Sequence, residues 1–158
     1  MPLRSDWSEA GCPIARSLDV VGDPWVLLVL REALTGATRF DQLRDALGVA
    51  DNVLSRRLSS MVDGGLLVRT PYADQHRTRH EYVLTGAGRD LLPVLNALAQ
   101  WGDRHRSRPT GRLEVVHEGC GGTSASADTC TTCGARLTPD TVSWRRPRDA
   151  GGLTRLVR

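Results

Sequence analysis

Residues 38–72 read TRFDQLRDALGVADNVLSRRLSSMVDGGLLVRTPY, and the order of their parts decides the fold. A short amphipathic run (FDQLRDAL) meets the turn Gly48-Val49-Ala50-Asp51, and a second amphipathic run (NVLSRRLSSMV) ends on Gly64-Gly65. In the second run Leu54, Leu58 and Met61 fall at i, i+4 and i+7, with Val62 widening the stripe. That is the spacing of a helix with one buried face. The side turned away from the stripe carries Asn52, Arg56 and Ser59, with Ser55 and Arg57 on its flanks. Asp51 stands where an N-cap is expected and the paired glycines where a helix stops. Two short helices joined by a tight turn, the second with a small, polar, Arg-bearing outer face, form a helix-turn-helix whose second helix fits a major groove. A helical hairpin with a merely solvated outer face fits the same residues, so this stretch alone leaves both readings open.

The next residues favour the first. Leu66-Leu67-Val68-Arg69 leads to a polar, basic stretch (ADQHRTRH, 73–80) and then Glu81-Tyr82-Val83-Leu84. Two β-type runs around a polar tip predict a hairpin, and a hairpin directly after a recognition helix is the wing of a winged helix. His76, Arg77 and Arg79 fall at or near its tip, where cations reach phosphates or a narrow minor groove. Upstream, Thr38-Arg39-Phe40 is expected as a short third strand of the wing sheet.

Around this motif the chain supplies a core. Pro13 suits a first helical position, with Ile14, Leu18 and Val21 on one face. Asp23 as N-cap and Pro24 at the first position then restart a helix, PWVLLVLREAL, that is apolar on nearly every side and therefore a buried strut. Past the wing, Thr85 is placed to cap a long helix from about Gly86 to His105. Pro93 predicts a kink in it or a later start. Leu91, Leu95, Leu98 and Trp101 give it a stripe broad enough to meet a second copy. A two-fold dimer would present two recognition helices roughly 34 Å apart to a pseudo-palindromic operator.

Forty per cent hydrophobic and a quarter charged over 158 residues is ordinary folded composition. No apolar run approaches the roughly 20 residues of a membrane span, and MPLRSDWSEAGCP lacks the apolar core of a secretory signal. The expected location is the cytoplasm, in association with the nucleoid, with no membrane partner. All 21 basic residues are arginine. Residues 141–158 hold five of them against one aspartate, so the net charge of +3 sits in the tail and the rest is close to neutral. Any footprint on DNA must come from local placement on helix and wing, with non-specific phosphate contact by the Arg-rich tail as a further option. No paired carboxylates at catalytic spacing, no phosphate-binding glycine loop after a strand and no Ser-His-Asp set are found, which argues against an enzyme.

Residues 12–105 resemble the HxlR-type family of bacterial winged-helix regulators, relatives of the MarR group. The resemblance is carried by CPIARSLDVVGDPWVLLVLREAL, TRFDQLRDAL, VLSRRLSSMVDGGLLVRTPY, EYVLTGAGRDLLPVL and WGDRH, about three-fifths of the chain in order. It implies a homodimer on double-stranded DNA, with contacts near Asn52, Ser55 and Arg56 in the major groove and near Arg77 and Arg79 at the wing. One departure stands out. Where the family usually has a Gly-Lys-Trp type turn, this chain has Gly22-Asp23-Pro24-Trp25, without the cation.

Beyond the resemblance lies His117-x2-Cys120, nine residues, then Cys130-x2-Cys133, with Gly121 and Gly134 after the second ligand of each pair. Two-residue spacing lets both side chains of a knuckle reach one tetrahedral ion, and a Cys3His set suits structural Zn²⁺ with no open position. A disulfide or reduced free thiols are the alternatives. Few apolar residues surround the set, so metal would supply stability. Similar regulators carry Cys-rich extensions of this kind. Cys12 stands apart at a helix start beside Pro13. Some HxlR-type regulators sense oxidants or electrophiles at a cysteine in this context, and a small buried hydrophobe is the competing reading.

The expected architecture is mainly α with a small β-hairpin wing, plus a zinc-ribbon-like module. In order, it comprises an N-terminal arm (1–11), a winged-helix DNA-binding and dimerisation domain (12–106), the zinc-ribbon-like module (113–142) and a solvated Arg-rich tail (143–158). The expected function is sequence-specific transcription regulation by a homodimer, with a small-molecule effector or thiol modification at Cys12 as candidate signals. A winged-helix and zinc-ribbon module that docks proteins rather than specific DNA is the alternative. Candidate DNA contacts are Asn52, Ser55, Arg56, Ser59, Arg77 and Arg79; candidate Zn ligands are His117, Cys120, Cys130 and Cys133.

Overall fold

A computed structural model describes residues 6–74, 77–106, 111–149 and 152–157. Four helices come first: α1 (Pro13–Val21), α2 (Pro24–Leu34), α3 (Phe40–Leu47) and α4 (Asp51–Asp63). A hairpin of β1 (Leu67–Asp74) and β2 (Arg77–Leu84) follows, then a short α5 (Gly86–Arg89) and α6 (Leu92–His105). The C-terminal part contains β3 (Glu114–His117), β4 (Thr123–Ser124), β5 (Val142–Arg145), a 3-10 turn at Pro147–Asp149 and β6 (Leu153–Arg155).

Local chemistry explains most boundaries. Asp23 Oδ1 accepts the Trp25 N–H at 2.9 Å and Pro24 opens α2, so the restart follows from a side-chain cap plus a residue with no N–H to satisfy. The Gln42 side chain accepts the Arg39 N–H at 3.0 Å, closing the start of α3. The cap of α4 differs from expectation. Ala50 is the N-cap and Asp51 lies inside the first turn without a capping bond, so Asp51 acts there only through its charge on the helix dipole. Thr38-Arg39-Phe40 is not a third strand either. A single bridge joins Arg39 to Glu81, and the Tyr82 N–H donates to the Thr38 carbonyl at 2.7 Å before α3 turns the chain away. The long helix is divided: Thr85 caps α5 by accepting the Gly88 N–H at 3.1 Å, and α6 begins only at Leu92, with Pro93 in its first turn.

Two apolar clusters meet on α2. One gathers Val26, Val29 and Leu30 with Leu43, Leu54, Leu58, Met61, Leu66 and Leu67, welding the helix-turn-helix to the hairpin base. The other joins Leu34 and Leu92 to Val115, Leu137, Val142, Trp144 and Leu156. The second cluster lies under a four-stranded antiparallel sheet of order β4-β3-β5-β6.

The expected solvated tail is therefore a correction. Strand β5 runs through position 143, Trp144 is 1% exposed, and Leu156 is buried. The Val157 N–H donates to the Leu34 carbonyl at 2.8 Å and Arg89 donates to the Val157 carbonyl at 3.1 Å. Arg146 reaches back to the buried Glu32 of α2 at 3.3 Å while paired to Asp149 at 2.6 Å. A buried carboxylate is tolerable only with such partners, and Arg31 supplies another at 2.6 Å.

Candidate nucleic-acid interface and metal centre

The outward side of α4 follows from the burial of its other side. Leu54, Leu58 and Met61 are at most 1% exposed. At helical spacing this leaves Asn52, Ser55, Arg56 and Ser59 in solvent, and all four are exposed. Arg56 forms no ion pair among the described residues. Arg57, on the flank, does something else: its guanidinium meets Asp23 Oδ2 at 2.6 Å and ties α4 to the start of α2. Asp23, at the turn that lacks the family's cation, thus both caps α2 and anchors α4.

The hairpin stands beside this helix, with Leu67 opposite Leu84 at its base and Asp74 opposite Arg77 toward its tip. The side chain of Arg77, like His76, falls outside the described residues. Arg79 is half-exposed, and its guanidinium donates to Asp41 of α3 at 3.1 Å. Arg39 pairs with Glu81 at 3.1 Å and stacks over Tyr72 at 4.6 Å from the ring centre. Arg69 lies 2.9 Å from His80. The base of the wing is therefore basic but internally compensated. Arg39 and Arg69 were not singled out from sequence, although both occupy β-type stretches flanking the helix-turn-helix. Arg44 faces Asp45, Asp41 and Asp51, and its pKa is raised chiefly by the hydrogen bond it donates to the Asp45 carboxylate.

The second site lies in the C-terminal sheet. His117 ends β3 and Cys120 sits on the turn to β4, while Cys130 and Cys133 occupy a second turn. The two turns share one construction. The Gly121 N–H donates to the His117 carbonyl at 2.8 Å, and the Gly134 N–H donates to the Cys130 carbonyl at 2.8 Å. Both glycines have positive φ, 69° and 76°, a backbone state that costs a side-chain-bearing residue energy. Spacing and glycine are thus one device, bending the chain so that ligands three apart converge.

They converge closely. Cys120 Sγ lies 3.4 Å and Cys133 Sγ 3.3 Å from His117 Nδ1, and the Cys120 and Cys130 sulfurs are 3.6 Å apart. All four ligand atoms lie within 4.8 Å of one another. Around a tetrahedral Zn²⁺ with ordinary bond lengths, sulfur–sulfur edges are about 3.8 Å and sulfur–nitrogen edges about 3.6 Å. The donor set fits such an ion in size and chemistry. None of the four cysteines is in a disulfide. Backbone N–H groups of Cys133 and then Thr132 bring the Cys130 thiol down to about 6. For Cys120 the Gly122 N–H pulls the same way, but burial and the neighbouring sulfurs outweigh it and the thiol is raised. A bound divalent ion would hold both as thiolates.

One residue that sequence reading passed over connects this centre to the helices. Asn96, on α6, is 0% exposed. Its Nδ2 donates to the Ala127 carbonyl, between the two knuckles, at 2.8 Å, and its Oδ1 accepts from Trp144 Nε1 at 3.1 Å. The signal was a lone amide at i+4 from Leu92, inside an apolar stripe.

Elsewhere, α6 turns Val94, Leu98 and Trp101 outward at i, i+4 and i+7, and α1 exposes Ile14 and Leu18. An apolar cavity of about 420 Å³ opens between α2, α6 and the sheet, lined by residues including Leu27, Leu28, Leu95 and Trp144. Cys12 is exposed and is the N-cap residue of α1, without a side-chain capping bond. Among the described residues, no helix is long and apolar enough to cross a membrane.

A helix-turn-helix with an exposed polar second helix, followed at once by a two-stranded wing, defines a winged-helix protein of the transcription-regulator class; here a small Cys3His sheet module is packed against it. The model for HxlR-like helix-turn-helix proteins matches residues 20–110, and the chain belongs to that family. It is 42% identical over 134 residues, 84% of each chain, to an HTH-type transcriptional regulator of Mycobacterium tuberculosis. That span is longer than everything preceding the sheet module, so the likeness continues into it. It is also 39% identical over 92 residues to an HTH-type regulator of Synechocystis, covering 58% of this chain and 67% of the relative. Among solved structures, PA1607, described as a candidate transcription factor, superposes with a TM-score of 0.70 at 35% identity, covering 85% of this chain and 94% of that one. The redox regulator HypR in its reduced form superposes with a TM-score of 0.55 at 27% identity, covering 60% and 94%. Family and relatives are regulators of transcription rather than enzymes.

Proposed function

We propose that the protein is a homodimeric, sequence-specific transcription regulator that reads a pseudo-palindromic operator with α4 and grips the flanking backbone with its wing. The observation carrying this reading is the exposure of Asn52, Ser55, Arg56 and Ser59 together, on a helix whose opposite side is fully buried. Small polar residues let the helix approach the groove floor, and Arg56 is the side chain suited to a guanine edge. Arg77 and Arg79 take phosphate contacts from the wing. A second copy covers the outward apolar stripe of α6 together with Ile14 and Leu18 of α1, which supports the two-fold arrangement that an inverted repeat requires.

The Cys3His centre holds Zn²⁺ as a structural ion. His117, Cys120, Cys130 and Cys133 supply four ligands and leave no position for substrate. The ion closes a sheet too poor in apolar residues to fold alone. For a small-molecule effector the supporting feature is the apolar cavity beside Trp144, whose size lies within the range of ligand pockets. For a thiol signal there are two sites, Cys12 and the metal centre.

Selection of bound duplexes from a random pool tests the reading. An enriched inverted repeat is expected, together with loss of its binding by Arg56→Ala. Binding of all duplexes alike, unaffected by that substitution, would instead favour a protein-docking module.

A further inference from the structure

Cys130 has two surroundings at once. It is a ligand of the metal centre, and it is also 1% exposed within the cluster formed by Leu34 at the end of α2, Leu92 at the start of α6, and Trp144. Cys120 and Cys133, by contrast, face solvent. Each knuckle therefore contributes one ligand that a solute can reach and one packed against the interior. The exposed sulfur of Cys120 lies 3.6 Å from the buried sulfur of Cys130.

We propose that the His117–Cys120–Cys130–Cys133 centre is a site of oxidation by peroxides, at which a Cys120–Cys130 disulfide forms, the ion is expelled, and α6 is released from the sheet module. The proposal rests on the reading of this centre as a zinc site. The Cys120 thiolate attacks one oxygen of hydrogen peroxide; the O–O bond breaks, leaving a sulfenic acid and a hydroxide ion. The neighbouring Cys130 thiolate then attacks that sulfur, forming the S–S bond and displacing a second hydroxide. Two thiolates have given two electrons to one peroxide, and solvent protonates both hydroxides. The ion keeps only His117 and Cys133 from the protein, half of its ligands, and is lost to solvent. Excess thiol reductant and Zn²⁺ reverse the sequence.

Asn96 gives this event a mechanical consequence. The Ala127 carbonyl that receives its amide lies on the segment joining the two knuckles, and Trp144 holds its other end. Drawing the Cys120 and Cys130 sulfurs to bonding distance, about 2.05 Å, moves both ends of that segment. Asn96 then loses a partner inside the apolar stripe of α6, and Cys130 leaves the cluster it shares with Leu92. The outer side of the same helix carries Val94, Leu98 and Trp101, the surface assigned to the second copy. Oxidant chemistry at the sheet thus reaches the dimer through one helix. Cys12, on α1, takes no part.

The test uses the full-length, zinc-supplemented chain carrying Cys12→Ser. Its metal content is measured first; a chain that holds no zinc overturns the zinc reading and this inference together. With zinc present, hydrogen peroxide is titrated against a chromophoric zinc chelator, peptide mass mapping and amide hydrogen exchange. One zinc released per chain is expected, in step with a Cys120–Cys130 cross-linked peptide and exchange across Leu92–His105 faster by on the order of tenfold. All three reverse with reductant and zinc. Zinc retained as the exposed thiols oxidise overturns the inference and leaves the zinc site standing. So does zinc released with α6 exchange unchanged.

Discussion

Asn96→Ala isolates the link between the winged helix and the metal module. The wild-type amide, itself fully buried, makes two hydrogen bonds, to the part-buried Ala127 carbonyl at 2.8 Å and from the buried Trp144 indole at 3.1 Å. Alanine leaves a carbonyl and an indole N–H without partners, each costing about 1–3 kcal/mol when buried. A helix-interior alanine returns roughly 0.5 kcal/mol of propensity. The net loss is about 2–5 kcal/mol, a large part of the roughly 5–15 kcal/mol that folded chains possess. For a chain of this size that lowers Tm by roughly 5–20 °C. The informative comparison is with chelator-treated protein. Once the module opens, Ala127 and Trp144 are hydrated whether or not Asn96 is present, so the penalty should shrink to within about 0.5 kcal/mol of zero. Urea unfolding of both variants, with zinc and with chelator, measures the four free energies. An equal penalty under both conditions would refute the coupling, as would a penalty below about 0.5 kcal/mol in the zinc form.

Three further outcomes follow from the DNA and dimer surfaces. Arg56→Ala should weaken binding to a selected operator by about 10- to 100-fold, the worth of one good base contact, while thermal melting stays unchanged because the side chain holds no ion pair among the described residues; fluorescence anisotropy and calorimetry check the two halves. Asp41→Asn weakens one intramolecular ion pair of Arg79, at 3.1 Å; it should tighten binding to any duplex and steepen the salt dependence by about 0.9 in slope for each phosphate newly engaged. Unchanged or weaker binding across a salt series would show that Arg79 does not reach the backbone. Leu98→Asp places a charge in the outward stripe of α6 and should yield a monomer in sedimentation equilibrium with native helix content; a persistent dimer would move the interface elsewhere.

What could be read in the sequence was what local chemistry controls. Asp23-Pro24 announces a helix start because cap and imino acid act within three residues. Leu54, Leu58 and Met61 mark a buried face because helical period alone brings them together, and the clustering of His117, Cys120, Cys130 and Cys133 declares itself because each pair is three apart and followed by glycine. The misread parts depend on distant partners. Arg57, placed from sequence only on the flank of the outer side, shows its role once Asp23, 34 positions earlier, is found against it. Trp144 and Leu156 lie among arginines, glycines and a proline, so their composition suggests a tail. Only the pairing of β5 with β3, and the docking of Trp144 beneath Leu92 and Asn96, make them interior. Asp51 misled more simply: chain geometry began the helix one residue earlier, at an alanine with no side chain to declare it.

The two halves are not independent folding units, and the reason lies in who owns their core. Val115, Leu137, Val142, Trp144 and Leu156 are too few to enclose one another; the sheet completes its interior with Leu34 and Leu92, borrowed from α2 and α6. A module this small needs an ion or a neighbour for stability; this one has the neighbour, and the proposed ion would add to it. The exchange works in the other direction too. Glu32, buried on α2, relies on Arg146 from the sheet, and the carbonyl of Leu34 at the end of α2 is satisfied by Val157. Loss of the proposed ion would therefore be felt on α2 and α6 at once, although neither helix contributes a ligand. Since α2 also packs α4 through Val26, Val29 and Leu30, the Cys3His cluster and the proposed groove-facing side of α4 are linked through one helix. A perturbation at Cys130 has no route that bypasses the winged helix.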